Sequence, residues 1–172
     1  MTIDFKKKIR AIPDFPKKGV IFRDITPVLN DPKAFKALID KSTSLYKNKK
    51  IDVVVGIDAR GFLLAAPVAY KLNAGLAIVR KKGKLPFKCI CQDYSLEYGT
   101  ASIEMHIDSI RPGQRVLLID DVIATGGTIR AAADLVEKLG GKIVGILFFI
   151  ELKGLKGKEK LKKYPIKSLV KF

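Results

Sequence analysis

Short aliphatic runs alternating with Ala- and Leu-rich segments predict an α/β fold, an open parallel sheet with helices on both faces. Residues 51–57 (IDVVVGI), 75–79, 115–119 (RVLLI) and 143–150 (IVGILFFI) are β-branched or largely apolar and read as buried strands. Residues 60–72 and 128–139 carry helical spacing between pairs of these runs, and strand–helix–strand units with short connections make parallel pairs. A chain of 172 residues, 48% of them hydrophobic, suits one domain (1–172) with a sizeable core.

Taken in order, residues 3–12 place Ile3, Phe5 and Ile9 at helical intervals, and Pro13 and Pro16 end that helix. Residues 14–29 are loop-rich, with Gly19, Pro27 and an apolar pair, Ile21-Phe22. Asp31-Pro32 opens a second helix, with Asp31 as N-cap and Pro32 at the first helical position, reaching about Asn48. After the strands at 51–57 and 75–79 comes an insert, residues 81–113. Its alternating pieces, 89–96 and 100–107, flank Glu97-Tyr98-Gly99 and predict a hairpin outside the main sheet. Gly140-Gly141 ends the helix at 128–139. The tail carries Lys156, Lys158, Lys160, Lys162 and Lys163, the solvated face of a short helix, and Ile166, Leu169 and Val170 can close the chain as a strand.

Lys and Arg number 33 against 17 Asp and Glu, a net charge of +16, which favours anionic partners. Of the 33, 26 are Lys and 7 are Arg, a balance that suits a solvated surface better than base reading, so no specific nucleic acid is expected. Cys89 and Cys91 lie one residue apart, unlike redox or zinc pairs, and read as reduced packing residues on one strand face. A single His, His106, excludes sites built on two imidazoles; it has no motif and reads as a hairpin surface or packing residue. The first ten residues lack an apolar signal core, and no stretch approaches the roughly 20 apolar residues of a membrane span. A soluble, cytoplasmic protein is expected.

Chemistry concentrates in residues 116–128, VLLIDDVIATGGT. An apolar strand ends in Asp120 and Asp121, a turn of Thr125, Gly126, Gly127 and Thr128 follows, and a helix begins. Open α/β sheets bind ligands beyond the carboxyl ends of their strands. Consecutive glycines let backbone N–H groups converge on an anion, and the helix N-terminus adds partial positive charge. The turn predicts a phosphate cradle. The two carboxylates would repel that phosphate, so they face hydroxyl donors or a metal; a ribose phosphate offers the phosphate and the diol together. GxxxxGK[ST] and GxGxxG are both absent.

Residues 116–128 look like the phosphoribosyl-diphosphate (PRPP) motif of type I phosphoribosyltransferases. Further segments resemble the adenine-specific branch of that family: Phe15-Pro16, then Gly19-Val20-Ile21-Phe22-Arg23-Asp24-Ile25-Thr26-Pro27; Gly56-Ile57-Asp58-Ala59-Arg60-Gly61-Phe62; Val79-Arg80-Lys81 with Gly83-Lys84-Leu85-Pro86; and Tyr94-Ser95-Leu96-Glu97-Tyr98-Gly99. The resemblance spans about residues 14–152.

It implies the type I fold with a small N-terminal hood (1–30) that binds the base and a mobile hairpin insert (81–113). It also implies purine salvage by a homodimer: PRPP and adenine give AMP and diphosphate. Mg²⁺ is implied as cofactor, reaching the site through PRPP, diphosphate and water with no direct protein ligand. By the same resemblance Asp120 and Asp121 hold the ribose, and Ala124, Thr125, Gly126, Gly127 and Thr128 hold the 5′-phosphate. Asp58, Ala59 and Arg60, with a non-proline cis peptide between the first two, bind diphosphate together with Arg80 and Lys84, partly from a neighbouring subunit. Ile21, Phe22 and Arg23 form the adenine pocket, Glu97 is the catalytic acid, and Tyr98 packs the closed loop. Glu104 is an alternative carboxylate without a motif. Two other readings stay open: transfer to another purine, or a nucleic-acid-binding regulator that senses PRPP.

Overall fold

The computed structural model describes residues 3–95 and 99–172. Its N-terminal part departs from the single helix expected over 3–12: α1 (Phe5–Lys8) makes one turn, and β1 (Arg10–Pro13) pairs antiparallel with β2 (Ile21–Asp24). One turn is enough to bury Phe5, edge-on to Phe149 at 5.6 Å, and pairing with β2 then satisfies the backbone of residues 10–13. After α2 (Thr26–Leu29), α3 (Pro32–Ser44) starts as expected, with the Asp31 carboxylate accepting from the N–H groups of Lys33 and Ala34 at 2.9 and 3.1 Å. It stops before Asn48, where Tyr46 donates its N–H to Thr43 O at 2.9 Å and buries its ring.

The sheet is built from β3 (Val53–Ile57), β4 (Gly75–Lys81), β5 (Cys89–Ser95), β6 (Thr100–His106), β7 (Arg115–Ile123), β8 (Lys142–Glu151) and β9 (Ile166–Lys171). Its seven strands run in the order β5-β6-β4-β3-β7-β8-β9. The pairs β3–β4, β3–β7, β7–β8 and β8–β9 are parallel, and β6 is antiparallel to both β4 and β5. The hairpin therefore joins the main sheet rather than standing outside it. β4 outruns β3 by two residues, and the backbone of Arg80 and Lys81 is taken up by Glu104 and Ile103 of β6. Burial of Ile103 and Met105 then fastens the hairpin to the core.

Strand alternation writes the two faces of the sheet. Val53, Val55, Ile57, Val116, Leu118, Ile146 and Phe148 face α5 (Gly127–Lys138) and its Ile129, Ala132, Leu135 and Val136. Val54, Leu117, Ile119, Leu147 and Phe149 face the other way, against α4 (Arg60–Leu72), α3 and the N-terminal elements. α4 leads from β3 to β4 on one side, and α5 leads from β7 to β8 on the other. The chain thus diverges between β3 and β7, the place where an open α/β sheet leaves a crevice at its carboxyl ends.

Two surface expectations change. The face that Cys89 and Cys91 share on β5 turns outward, because Ile90 and Tyr94 take the side packed against the core; both thiols are free and Cys91 is exposed. The lysine-rich tail forms two 3₁₀ turns, Lys153–Leu155 and Gly157–Leu161, and not one solvated helix. Gly157 and Leu161 are buried there, and Lys158 and Lys163 reach Glu151 and Glu137 at 2.7 and 2.8 Å.

Candidate active site

A cleft of about 320 Å³ opens at the divergence point, lined by Asp58, Ala59 and Arg60 from the β3–α4 turn and by residues 120–129 from β7 and α5. β7 does not stop at the two carboxylates, where the sequence suggested its end. It carries them and runs on to Ile123, because β8 offers paired residues as far as Glu151. Asp120 and Asp121 are therefore held within a central strand and not at its tip.

The Asp58–Ala59 peptide is cis, as the resemblance implied. Asp58 donates its N–H to Val79 O at 2.9 Å, and its carboxylate accepts from Arg80 Nε at 3.2 Å. Arg80 also donates to Lys84 O at 3.2 Å. The β3–α4 turn and the turn after β4 are thereby linked. Lys84 itself is exposed and outside the cleft wall.

Arg60, at the start of α4, joins two parts of the site. Its guanidinium lies 2.7 Å from Asp121 Oδ2, donates to Arg23 O at 3.3 Å, and sits 4.8 Å from the centre of the Phe22 ring. Asp121 is buried, 4% exposed. Asp120 Oδ1 accepts the Asp121 N–H at 2.8 Å. Burial first, and then the charge of Asp121, push the Asp120 carboxyl well above the usual carboxylate range. Burial raises Asp121 as well, with Arg60 opposing it. Gly61 lets α4 approach this pair, since a Cβ there would stand 3.0 Å from Asp120 Oδ1 and from Ile119 O.

The glycine-rich turn sits at the N-terminus of the twelve-residue α5. Gly126 has φ +76°, the left-handed region that glycine adopts without a Cβ penalty. A Cβ on Gly126 would collide with the Gly157 carbonyl, and a Cβ on Gly157 would collide with the Ala124 carbonyl. The tail thus packs backbone to backbone against the turn. Gly157 was not singled out from sequence; its signal, a glycine inside a lysine run, looks like ordinary surface. A Cβ on Gly127 would meet Tyr94 of β5 at 3.3 Å, so the hairpin walls the other side.

Ile21, Phe22 and Arg23 lie on β2. Phe22 packs edge-on to Phe15 at 5.2 Å, the Arg23 guanidinium lies 3.9 Å from the Phe172 ring centre, and Ile21 is exposed. The buried Asp24, also unassigned from sequence, accepts from the N–H and hydroxyl of Thr26 at 2.9 and 2.8 Å and fixes the corner after β2. Glu97 and Tyr98 lie outside the described residues. His106 packs edge-on to Phe87 at 5.9 Å. Among the described residues no group of three or more His, Cys, Asp or Glu side chains is placed to hold a metal ion. The arrangement sets an anion cradle beside a carboxylate pair, the donor set for a phosphorylated polyol.

A family model described as a phosphoribosyl transferase domain matches residues 25–171. An adenine phosphoribosyltransferase from Clostridium tetani is 55% identical over 170 residues, covering 99% of each chain. The crystal structure of an adenine phosphoribosyltransferase from Thermoanaerobacter pseudethanolicus superposes with a TM-score of 0.95 at 52% identity, covering 98% of both chains. The enzyme of that name from Saccharomyces cerevisiae, solved with D-2,5-dideoxy-2,5-imino-altritol 1,6-bisphosphate and adenine, gives a TM-score of 0.91 at 38% identity over 96% of each chain. With a carboxylate pair and glycine-rich turn at the divergence of the sheet, and with relatives of this kind along its whole length, the chain belongs to the phosphoribosyl transferase family, among the adenine phosphoribosyltransferases.

Proposed function

We propose that the cleft transfers the 5-phosphoribosyl group of PRPP to adenine, forming AMP and releasing diphosphate. The observation that carries this reading is the placement of Asp120 and Asp121 next to the Ala124–Thr128 turn, with Arg60 linking them to β2. The turn and the α5 N-terminus take the 5′-phosphate, and the carboxylates take the ribose hydroxyls. Phe22 stacks on the base while backbone groups of Ile21 and Arg23 read its edge. The yeast relative, solved with adenine and a bisphosphate, supports a site for a base beside phosphate groups.

In the reaction the C1–N9 bond forms as the C1–O bond to diphosphate breaks, and the bonding pair leaves with diphosphate. Positive charge builds on the sugar, so positioning and charge stabilisation dominate. Asp58, Ala59 and Arg60 receive the diphosphate from one side, Arg80 and Lys84 from the other. The Asp120–Asp121 pair supplies hard oxygen donors suited to a hard cation held through water. A Mg²⁺ ion bound with the substrate would supply positive charge against the departing diphosphate. The N9 proton passes to solvent or to the released diphosphate, and Glu97, as a carboxylic acid hydrogen-bonded at N7, compensates that loss. Tyr98 packs the closed loop.

Residues 1–30 act as the base-binding region and 81–113 as the insert that moves over the site. We also propose a homodimer. Leu63, Ala66 and Tyr70 of α4 recur at i, i+3 and i+7 as an exposed stripe, Tyr70 being 88% exposed, with Leu76 and Phe87 also exposed. Among the described residues no helix is long and apolar enough to cross a membrane. An exposed free thiol at Cys91 suits the reducing cytoplasm.

PRPP-dependent diphosphate release should be fastest with adenine when adenine, hypoxanthine, guanine and xanthine are compared in parallel. Faster turnover of another purine would reassign the base. Retention on nucleic acid with no turnover of any base would favour a PRPP sensor. Glu97→Gln should lower kcat by roughly a hundred- to ten-thousandfold, the range of general acid–base catalysis, with PRPP binding preserved; an unchanged kcat would remove it from the mechanism. Gly157→Ala should raise KM for PRPP by about tenfold, because overpacking against a fixed backbone costs about 1–3 kcal/mol. Gly154→Ala, whose Cβ meets nothing within 4 Å, is the matched control on the same segment and should leave KM unchanged. Equal KM values in the two variants would show that the tail does not brace the turn.

A further inference from the structure

Glu104 is a charged side chain that the proposed chemistry leaves without a task, yet it is 5% exposed. It lies on β6 directly opposite Arg80 of β4. Its Oε1 accepts from the N–H groups of both Lys84 and Leu85 at 2.8 Å. Burial disfavours its charge, but the N–H groups of Gly83, Leu85 and Lys84 outweigh burial and hold its carboxyl below the usual range. The turn it holds is shaped by Gly83 at φ +83° and by a bond from Lys84 N to Lys81 O at 3.2 Å.

This turn is tied to the cleft. The carbonyl of Lys84, the residue whose N–H Glu104 accepts, takes a bond from Arg80 at 3.2 Å, and Arg80 Nε reaches Asp58 at 3.2 Å. From Glu104 to the β3–α4 turn there are thus three polar links in series, each within hydrogen-bond distance. A plain hairpin carboxylate would face solvent. This one is withdrawn from solvent and engages neither Arg80 nor Lys84 through their charges. It orders the backbone that carries one cation and fixes the side chain of the other.

We infer that Glu104 is a positioning residue for the diphosphate: it fixes the Lys81–Leu85 turn so that Arg80 and Lys84 converge on the leaving group. The inference rests on the reading of Arg80 and Lys84 as diphosphate ligands. It gives Glu104 a role other than that of the alternative carboxylate to Glu97.

Two variants separate reach from charge. Glu104→Asp keeps the charge but is one methylene too short to accept both N–H groups. Glu104→Gln keeps the reach and an acceptor oxygen but loses the charge. The readout is the reverse reaction, AMP with diphosphate, with KM measured for each substrate, beside KM for adenine in the forward direction. Glu104→Asp should raise KM for diphosphate by about tenfold, the effect of losing hydrogen bonds to a charged acceptor, with KM for adenine unchanged. Glu104→Gln should stay within about threefold of the parent. A parental diphosphate KM in Glu104→Asp overturns the inference, as does a rise in which both substrates' KM values move together, the mark of a general loss of structure. Lys84→Ala tests the underlying reading separately. If it leaves diphosphate KM unchanged while Glu104→Asp raises it, Glu104 acts through Arg80 alone; if it raises KM and Glu104→Asp does not, the ligand reading survives and the positioning role falls.

Discussion

The ion pair between Arg60 and Asp121 is the contact on which the rest of the site depends. Asp121 is almost fully buried, and a carboxylate in that position needs a partner. Arg60 supplies it at 2.7 Å while its own side chain stays 30% exposed. Removing one member of a buried pair typically costs about 3–5 kcal/mol, and the solvent access of Arg60 sets this pair toward the lower end. The same guanidinium bonds the Arg23 carbonyl and covers Phe22. One planar cation with several donors thus spans Asp121 on β7 and Phe22 and Arg23 on β2, which a lysine's point charge could not do.

That pair exists because of the sheet. Arg60 begins α4 just beyond β3, Asp121 sits near the end of β7, and these strands are parallel neighbours. Their crossovers depart to opposite sides, so no helix fills the space above them. Gly61 allows α4 close enough for the guanidinium to meet the carboxylate. On the far side of the cleft, Gly126 and Gly157 interlock through backbone atoms, and Tyr94 closes against Gly127. The cradle is therefore held by three elements distant in sequence, a rigid frame that leaves little reorganisation to the moment of reaction.

Much of this was legible in the residues, and the limits follow from range. The helix at 60–72 and the Asp31 cap were readable because helical period and capping are local. The extension of β7 past Asp121 to Ile123 was not, because it depends on the length of β8, whose paired residues lie 28 positions further along (Asp120 with Phe148, Ile123 with Glu151). The attachment of β6 to β4 depends on a two-residue overhang that no local pattern reveals. Glu104 alternates like any half-exposed strand residue, and its burial follows only from that attachment. Gly157 was masked by the lysines around it, whose charge suggests solvent although the backbone between them packs inward. Of the site residues, Asp58, Ala59, Arg60, Asp120, Asp121 and Ala124 to Thr128 fall together at the cleft; Phe22 and Arg23 meet it through Arg60, and Arg80 and Lys84 stand outside its wall, tied in through Asp58.

If Arg60 couples the proposed adenine subsite on β2 to the proposed ribose subsite at Asp120 and Asp121, the kinetics of Arg60→Met with both substrates varied will show it. Methionine keeps much of the apolar stem and removes the charge and the donors. Loss of charge-assisted hydrogen bonds should raise KM for PRPP and for adenine together, each by about tenfold or more. A variant whose KM for adenine matches the parent while PRPP alone weakens would rule out that coupling and leave Arg60 as a partner of Asp121 and nothing beyond it.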